Sequence, residues 1–169
     1  MAKRSLGTAT VTTAATADTT NLANTTYMGL IQGGSATQKI ALLEVFLGGQ
    51  SASTSQPQIM VLGRDSTVGG TVVAGGAIDQ ALDAATAALA APPVVGNSAT
   101  TIPQRSSTLG RLLVLPFNAY GGMARWLARD RDEEITLVGN TASLGELSLS
   151  AFTGTTAGAI GGHMIYEPY

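Results

Sequence analysis

The stretch from Gln38 to Ser66 constrains this chain more than any other, because it holds two apolar strands joined by a loop of Gly, Ser, Thr and Pro. The first strand, KIALLEVFL, carries Ile40, Leu42 and Phe46 on one face and Ala41, Leu43, Val45 and Leu47 on the other. A half-solvated strand alternates apolar with polar, whereas a strand apolar on both sides is covered on both sides. That places it inside a β-sandwich, or between a sandwich and a partner.

Further strands are predicted at 26–32, 39–47, 58–64, 71–74, 111–117, 123–129, 134–138, 146–152 and 163–166. The run ELSLSA from Glu146 alternates as a strand with one wet face should. Glycine pairs at 33–34, 48–49, 69–70, 121–122 and 161–162 punctuate the strand ends, where positive φ is needed in tight turns. Many short strands so punctuated predict an all-β, antiparallel sandwich of jelly-roll-like kind. One domain over 26–169 is the expectation, and 169 residues bury a core without staples. No cysteine is present, so no disulfide or thiolate metal site holds it.

Two segments stand apart. Residues 8–26 hold nine threonines in nineteen positions without helical or alternating pattern, and residues 1–25 are read as an extended N-terminal arm. Fixing about 25 residues costs on the order of 25–50 kcal/mol of backbone entropy. Leu6, Val11 and Leu22 cannot return that by burial. The expectation is that the arm docks on another subunit through strand-like hydrogen bonding, and that deleting 1–25 leaves a folded body that assembles poorly. The second segment is a long excursion over 75–109. Its first part, AIDQALDAATAALAA, has the composition of a short helix ended by Pro92 and Pro93. Excursions of this length are functional or partner-bound more often than idle. Pro92, Pro93, Val94, Val95 and Ile102 are read either as cover for the end of the sandwich or as contacts to a neighbour.

Charge excludes several functions. Charged residues are 12% of the chain, about half the usual share, which suits partner-covered surfaces better than a free monomer. The net charge of −2 and the absence of a basic stripe argue against direct nucleic-acid binding. The start MAKRSLGTAT lacks the apolar core of a secretory signal, and no window is long and apolar enough to span a membrane.

Candidate chemistry is sparse. His163 is the only histidine, so no multi-histidine metal site exists, and it is read as a strand residue with a satisfied ring. The charge run Arg129 to Glu134 has carboxylates at alternate positions, but Arg129 and Arg131 intervene and the calcium-loop glycine is missing. It is read as a solvated hairpin tip. Glu44 interrupts an apolar face and needs a partner, for which Arg64 and Arg125 are the candidates. Trp126, between Arg125 and Leu127, is either core or the mark of a binding face. No catalytic, cofactor or metal residue is assigned, and an enzyme is the weakest reading.

Several stretches together resemble virion proteins of tailed bacteriophages: MGLIQGGSATQKIALLEVFLGGQ, IMVLGRDSTVGG, LDAATAALAAPPVV, GRLLVLPFNAYGG, GNTASLGELSLSAFTG and HMIYEP. The resemblance implies a small sandwich on the phage head, made in the host cytoplasm, that decorates or cements the shell. Such proteins are often trimers seated between major capsid subunits. It therefore implies the major capsid protein and further copies of the chain as partners. The other readings are a carbohydrate-binding or host-attachment module, which expects an aromatic row or a calcium site, and a self-assembling shell or tail-tube protein.

Overall fold

The structure, a computed structural model, describes residues 4–12, 26–51, 57–67, 72–74, 77–79, 94–99, 104–105, 111–141, 144–151 and 159–169. These residues form strands β1 (Arg4–Thr12), β2 (Thr26–Gln32), β3 (Lys39–Gly49), β4 (Pro57–Thr67), β5 (Val72–Ala74), β6 (Ala77–Asp79) and β7 (Val94–Ala99). They continue with β8 (Gln104–Arg105), β9 (Arg111–Asn118), β10 (Met123–Leu127), β11 (Ile135–Val138), β12 (Glu146–Ala151) and β13 (Ala159–Pro168). No helix occurs among the described residues. The described residues are all-β, and their strands pair antiparallel in two sheets. One runs β10–β3–β13–β1–β6 with β11 also on β3, and the other runs β5–β7–β2–β12–β4–β8 with β9 also on β4.

Both sheets feed a single core. Ile40, Leu42, Val45, Leu47, Leu137, Ile160, Met164 and Tyr166 enter it from the first sheet, and Ile31, Met60, Leu62, Leu147 and Leu149 from the second. Arg64, at the end of β4, ties the sheets together by donating from Nη2 to the Thr136 carbonyl on β11 at 2.6 Å and from Nη1 to the Leu144 carbonyl at 3.2 Å. Burial pulls its pKa below the ordinary arginine value.

The face pattern expected for β3 is overturned by a bulge. On β13, Ile165 lies opposite Glu44 and the next residue, Tyr166, lies opposite Leu42, so Leu43 is the extra residue. An extra residue flips every later side chain to the other face. Ile40 and Leu42 before it and Val45 and Leu47 after it therefore all point into the core, and Glu44 and Phe46 point outward. Glu44 interrupts no core face.

The same point interrupts the neighbouring strand. β10 pairs with β3 from Met123↔Gly48 to Leu127↔Glu44, and β11 resumes along the same strand at Ile135↔Leu42. Ala128 donates its N–H to the Leu43 carbonyl at 2.8 Å. The charge run at 129–134 is thus a loop thrown out of one edge line, not the tip of a hairpin, because the strands on either side of it share one partner.

Several other expectations change. Residues 4–12 of the expected arm are β1, which lies in the chain's own sheet between β13 and β6. Ala77-Ile78-Asp79, the start of the expected helix, is β6, and residues 80–91 lie outside the described residues. Helix propensity is a weak prior, and pairing with β1 outweighs it there. The excursion also supplies β7 and β8. Gly161 and Gly162 lie inside β13 rather than at its end. The polar face of β12 is not wet: Glu146, Ser148 and Ser150 are buried, and the Ser148 hydroxyl donates to Asp65 at 2.8 Å.

Candidate interaction face

The outward face of the first sheet is built on β10. Ala124 and Trp126 point inward, with Trp126 half-buried against the core, so Met123, Arg125 and Leu127 point out. In register across β3 and β13, one row reads Arg125, Phe46, His163 and the next reads Leu127, Glu44, Ile165. Met123 is 71% exposed and Leu127 47%.

The polar centre of this face is a carboxylate shared by two bases. Arg125 donates from Nε to Glu44 Oε1 at 2.8 Å, and His163 Nε2 lies 3.4 Å from the same oxygen. The Glu44 side chain is only 10% exposed, against 56% for Arg125. Burial works to raise the pKa of Glu44, but the Arg125 hydrogen bond and charge, with His163 beside them, hold it below the ordinary carboxylate value. The imidazole also stacks on Phe46, with ring centres 5.4 Å apart and planes 18° apart. Among the described residues its recorded neighbours are thus a carboxylate and a benzene ring.

Exposed apolar side chains recur along that edge, on either side of Arg125 and of the charged loop. Val138 on β11 continues the outward side beyond Leu127. Tyr120 sits in the turn leading into β10, while Leu144 and Tyr169 lie at the other end. There the Val138 N–H donates to the Leu144 carbonyl at 3.0 Å, and Tyr169 pairs with Lys39. Among the described residues, Val114 alone of the exposed large apolar and aromatic side chains lies off this line. Beside Leu127 a cavity of about 260 Å³ opens under the charged loop, with Leu43, Leu127 and Ala128 as apolar lining and Arg129, Asp130, Arg131, Glu134 and Glu167 around it. The loop is held by its own turns, Asp132 N–H to Asp130 Oδ1 at 3.0 Å and Arg129 N–H to Glu133 Oε2 at 3.0 Å. Among the described residues, no group of three or more His, Asp or Glu side chains is placed to hold a metal ion.

The residues singled out in the sequence fall elsewhere. Leu6 lies opposite Met164 and Val11 opposite Ile160, both in β1. Val94 and Val95 are half-buried in β7, opposite Gln32 and Ile31, and Val95 packs on the core. Leu22, Pro92, Pro93 and Ile102 lie outside the described residues. The face assembled here was visible through Glu44, for which Arg125 was one of the two expected partners and is the one that pairs with it, through Trp126 and Leu127, and through His163 as a partnered strand residue. That Phe46 joins them was missed, because the bulge that turns it outward leaves no mark in the spacing.

Comparison with protein families, with curated proteins and with solved structures finds no match to this chain. No helix among the described residues is long and apolar enough to cross a membrane.

Proposed function

We propose that this chain is a structural protein of a phage-type virion, which decorates or cements the head by bridging major capsid subunits through the β10–β11 face. The observation that carries the reading is the exposed apolar edge itself. Met123, Leu127 and Val138 are exposed along one edge on a chain with 12% charged residues, and exposed apolar side chains grouped on one face mark a surface that another molecule covers. The phrase-level resemblance to virion proteins supports the same reading. It takes the two sheets, which share one core, as the halves of a jelly-roll-like sandwich.

A cement part works by multivalence. Several weak contacts made at once raise avidity by about 10²–10⁴, and a part that binds only the assembled shell stabilises it by mass action. The chain would act as a small homo-oligomer, a trimer in the reading drawn from the resemblance. The test is light scattering on the purified chain alone and then mixed with expanded heads of the virus that encodes it. A small oligomer that loads onto heads, and loads poorly as the double variant Met123→Asp, Leu127→Asp, is the expected result. A monomer that ignores heads overturns the proposal and favours an attachment module. Long homopolymers formed without any partner overturn it in favour of a shell or tube protein.

A further inference from the structure

The centre of the docking face holds hydrogen-bonding capacity that the chain does not use. Arg125 meets Glu44 through Nε alone, and among the described residues its two Nη groups have no partner. More than half of the side chain is exposed. A guanidinium presents parallel N–H donors in a rigid plane, and the group that matches this fork is a carboxylate with its two oxygens. The setting narrows the ligand. Met123 and Leu127 flank Arg125 on its own strand and Phe46 lies beside it across β3, so whatever reaches the fork must bring apolar surface on either side.

Phosphate fits poorly. A nucleic-acid or lipid headgroup needs several cations together, whereas this face offers Arg125 with Glu44 already against it and Lys39 beside Val138 at the far end. The charged loop just past Leu127 sets Arg129 and Arg131 against Asp130, Asp132, Glu133 and Glu134, a net negative charge that opposes a polyanion arriving from that end. Approach from the Met123 side meets no acid before Glu44.

We infer that Arg125 is the anchor of this face and takes a side-chain carboxylate from a partner protein segment in which an acidic residue is flanked by apolar ones. The inference rests on the docking reading for its partner, while the anchor itself rests on the unused Nη donors and the apolar flanks. Arginine ringed by apolar groups is the composition that dominates binding energy at protein interfaces.

The experiment is an NMR titration of the full chain, labelled with ¹⁵N, with the capped tripeptide Leu-Glu-Leu and with its Gln and Lys counterparts. The expected result is that the Glu peptide moves the Arg125 Nε–H signal and the amides of 123–127, and binds about tenfold tighter than the Gln peptide, the factor a charge-assisted hydrogen bond supplies. The variant Arg125→Lys keeps a cation beside Glu44 but loses the fork. It should melt like the native chain and bind the Glu peptide no better than the Gln peptide. Equal binding of Glu and Gln peptides, shifts that map away from β10, or unchanged binding by Arg125→Lys each overturns the anchor. Loading of the native chain on heads is scored separately. Loading without peptide selectivity removes the anchor and leaves the docking reading, and selectivity without loading does the reverse.

Discussion

Glu44 shows how one residue's role depends on its neighbours. Its carboxylate is nearly buried, and the partners that offset that burial, Arg125 and His163, come from the strands on either side. Because the folded pKa lies below the ordinary value, the stabilisation is present above the unfolded pKa and is lost as pH falls through the folded one. Glu44→Gln should therefore cost about 1 kcal/mol at pH 7, limited by the solvent around Arg125. That cost should vanish in acid, so urea midpoints of native and variant measured from pH 7 to pH 3 should converge. Two adjacent glycines offer a sharper steric contrast. A Cβ on Gly49 would run into the backbone of Ala119, the buried residue of the β9–β10 turn, whereas one on Gly48 meets only the edge of Phe46 at 3.9 Å. Gly49→Ala should destabilise by about 1–3 kcal/mol and Gly48→Ala by far less, read as melting midpoints. The sequence marks both as the same turn glycine. Only the approach of the Ala119 carbonyl separates them.

Elements were legible where pairing follows local pattern. The strand predicted at 26–32 matches β2, and those at 58–64, 111–117 and 146–152 match β4, β9 and β12 to within a few residues at their ends. What was not legible is what depends on a partner strand. β1 alternates only over Thr8 to Thr12 and holds its place in the sheet through β13 and β6 on either side of it. The buried serines of β12 look solvated in sequence because nothing local announces Asp65. The Leu43 bulge is the clearest case, since a strand apolar on both faces reads the same with or without it. Deleting Leu43 tests its role. With Leu43 gone, Ile40, Leu42, Val45 and Leu47 fall at alternate positions and pair with β13 without a bulge, so if the bulge only sets the parity of β3 the cooperative melt and the near-ultraviolet signal of Trp126 should both be kept. Loss of either would mean that the bulge is needed for more than parity. The edge strands also carry their own protection. β9 holds Pro116, which cannot donate to an added strand, and the β10–β11 line is broken by charged residues. Both devices block backbone pairing by stray strands, which leaves recognition at this edge to side chains.

For the whole molecule, the placement of β1 changes what a truncation does. An arm reaching over a neighbour can be removed without harm to the body, but a strand lying between two others cannot. Removing residues 1–12 should lower the melting temperature of the isolated chain and expose the edge of β13, seen as faster amide exchange over 159–168. Unchanged melting and exchange would return these residues to the role of a dispensable arm.

The pairing of β1 with β13 also sets an order of events in time. Arg4 lies opposite Tyr166, so the earliest described strand to leave the ribosome meets its partner only when the latest one has been made. At the usual pace of synthesis β1 waits on the order of ten seconds. Until then β6 is its only paired strand among the described residues. The first sheet is therefore completed only once residues 159–168 have been made. Every copy of the chain thus passes through a stage with an open sheet edge before its last described strand arrives.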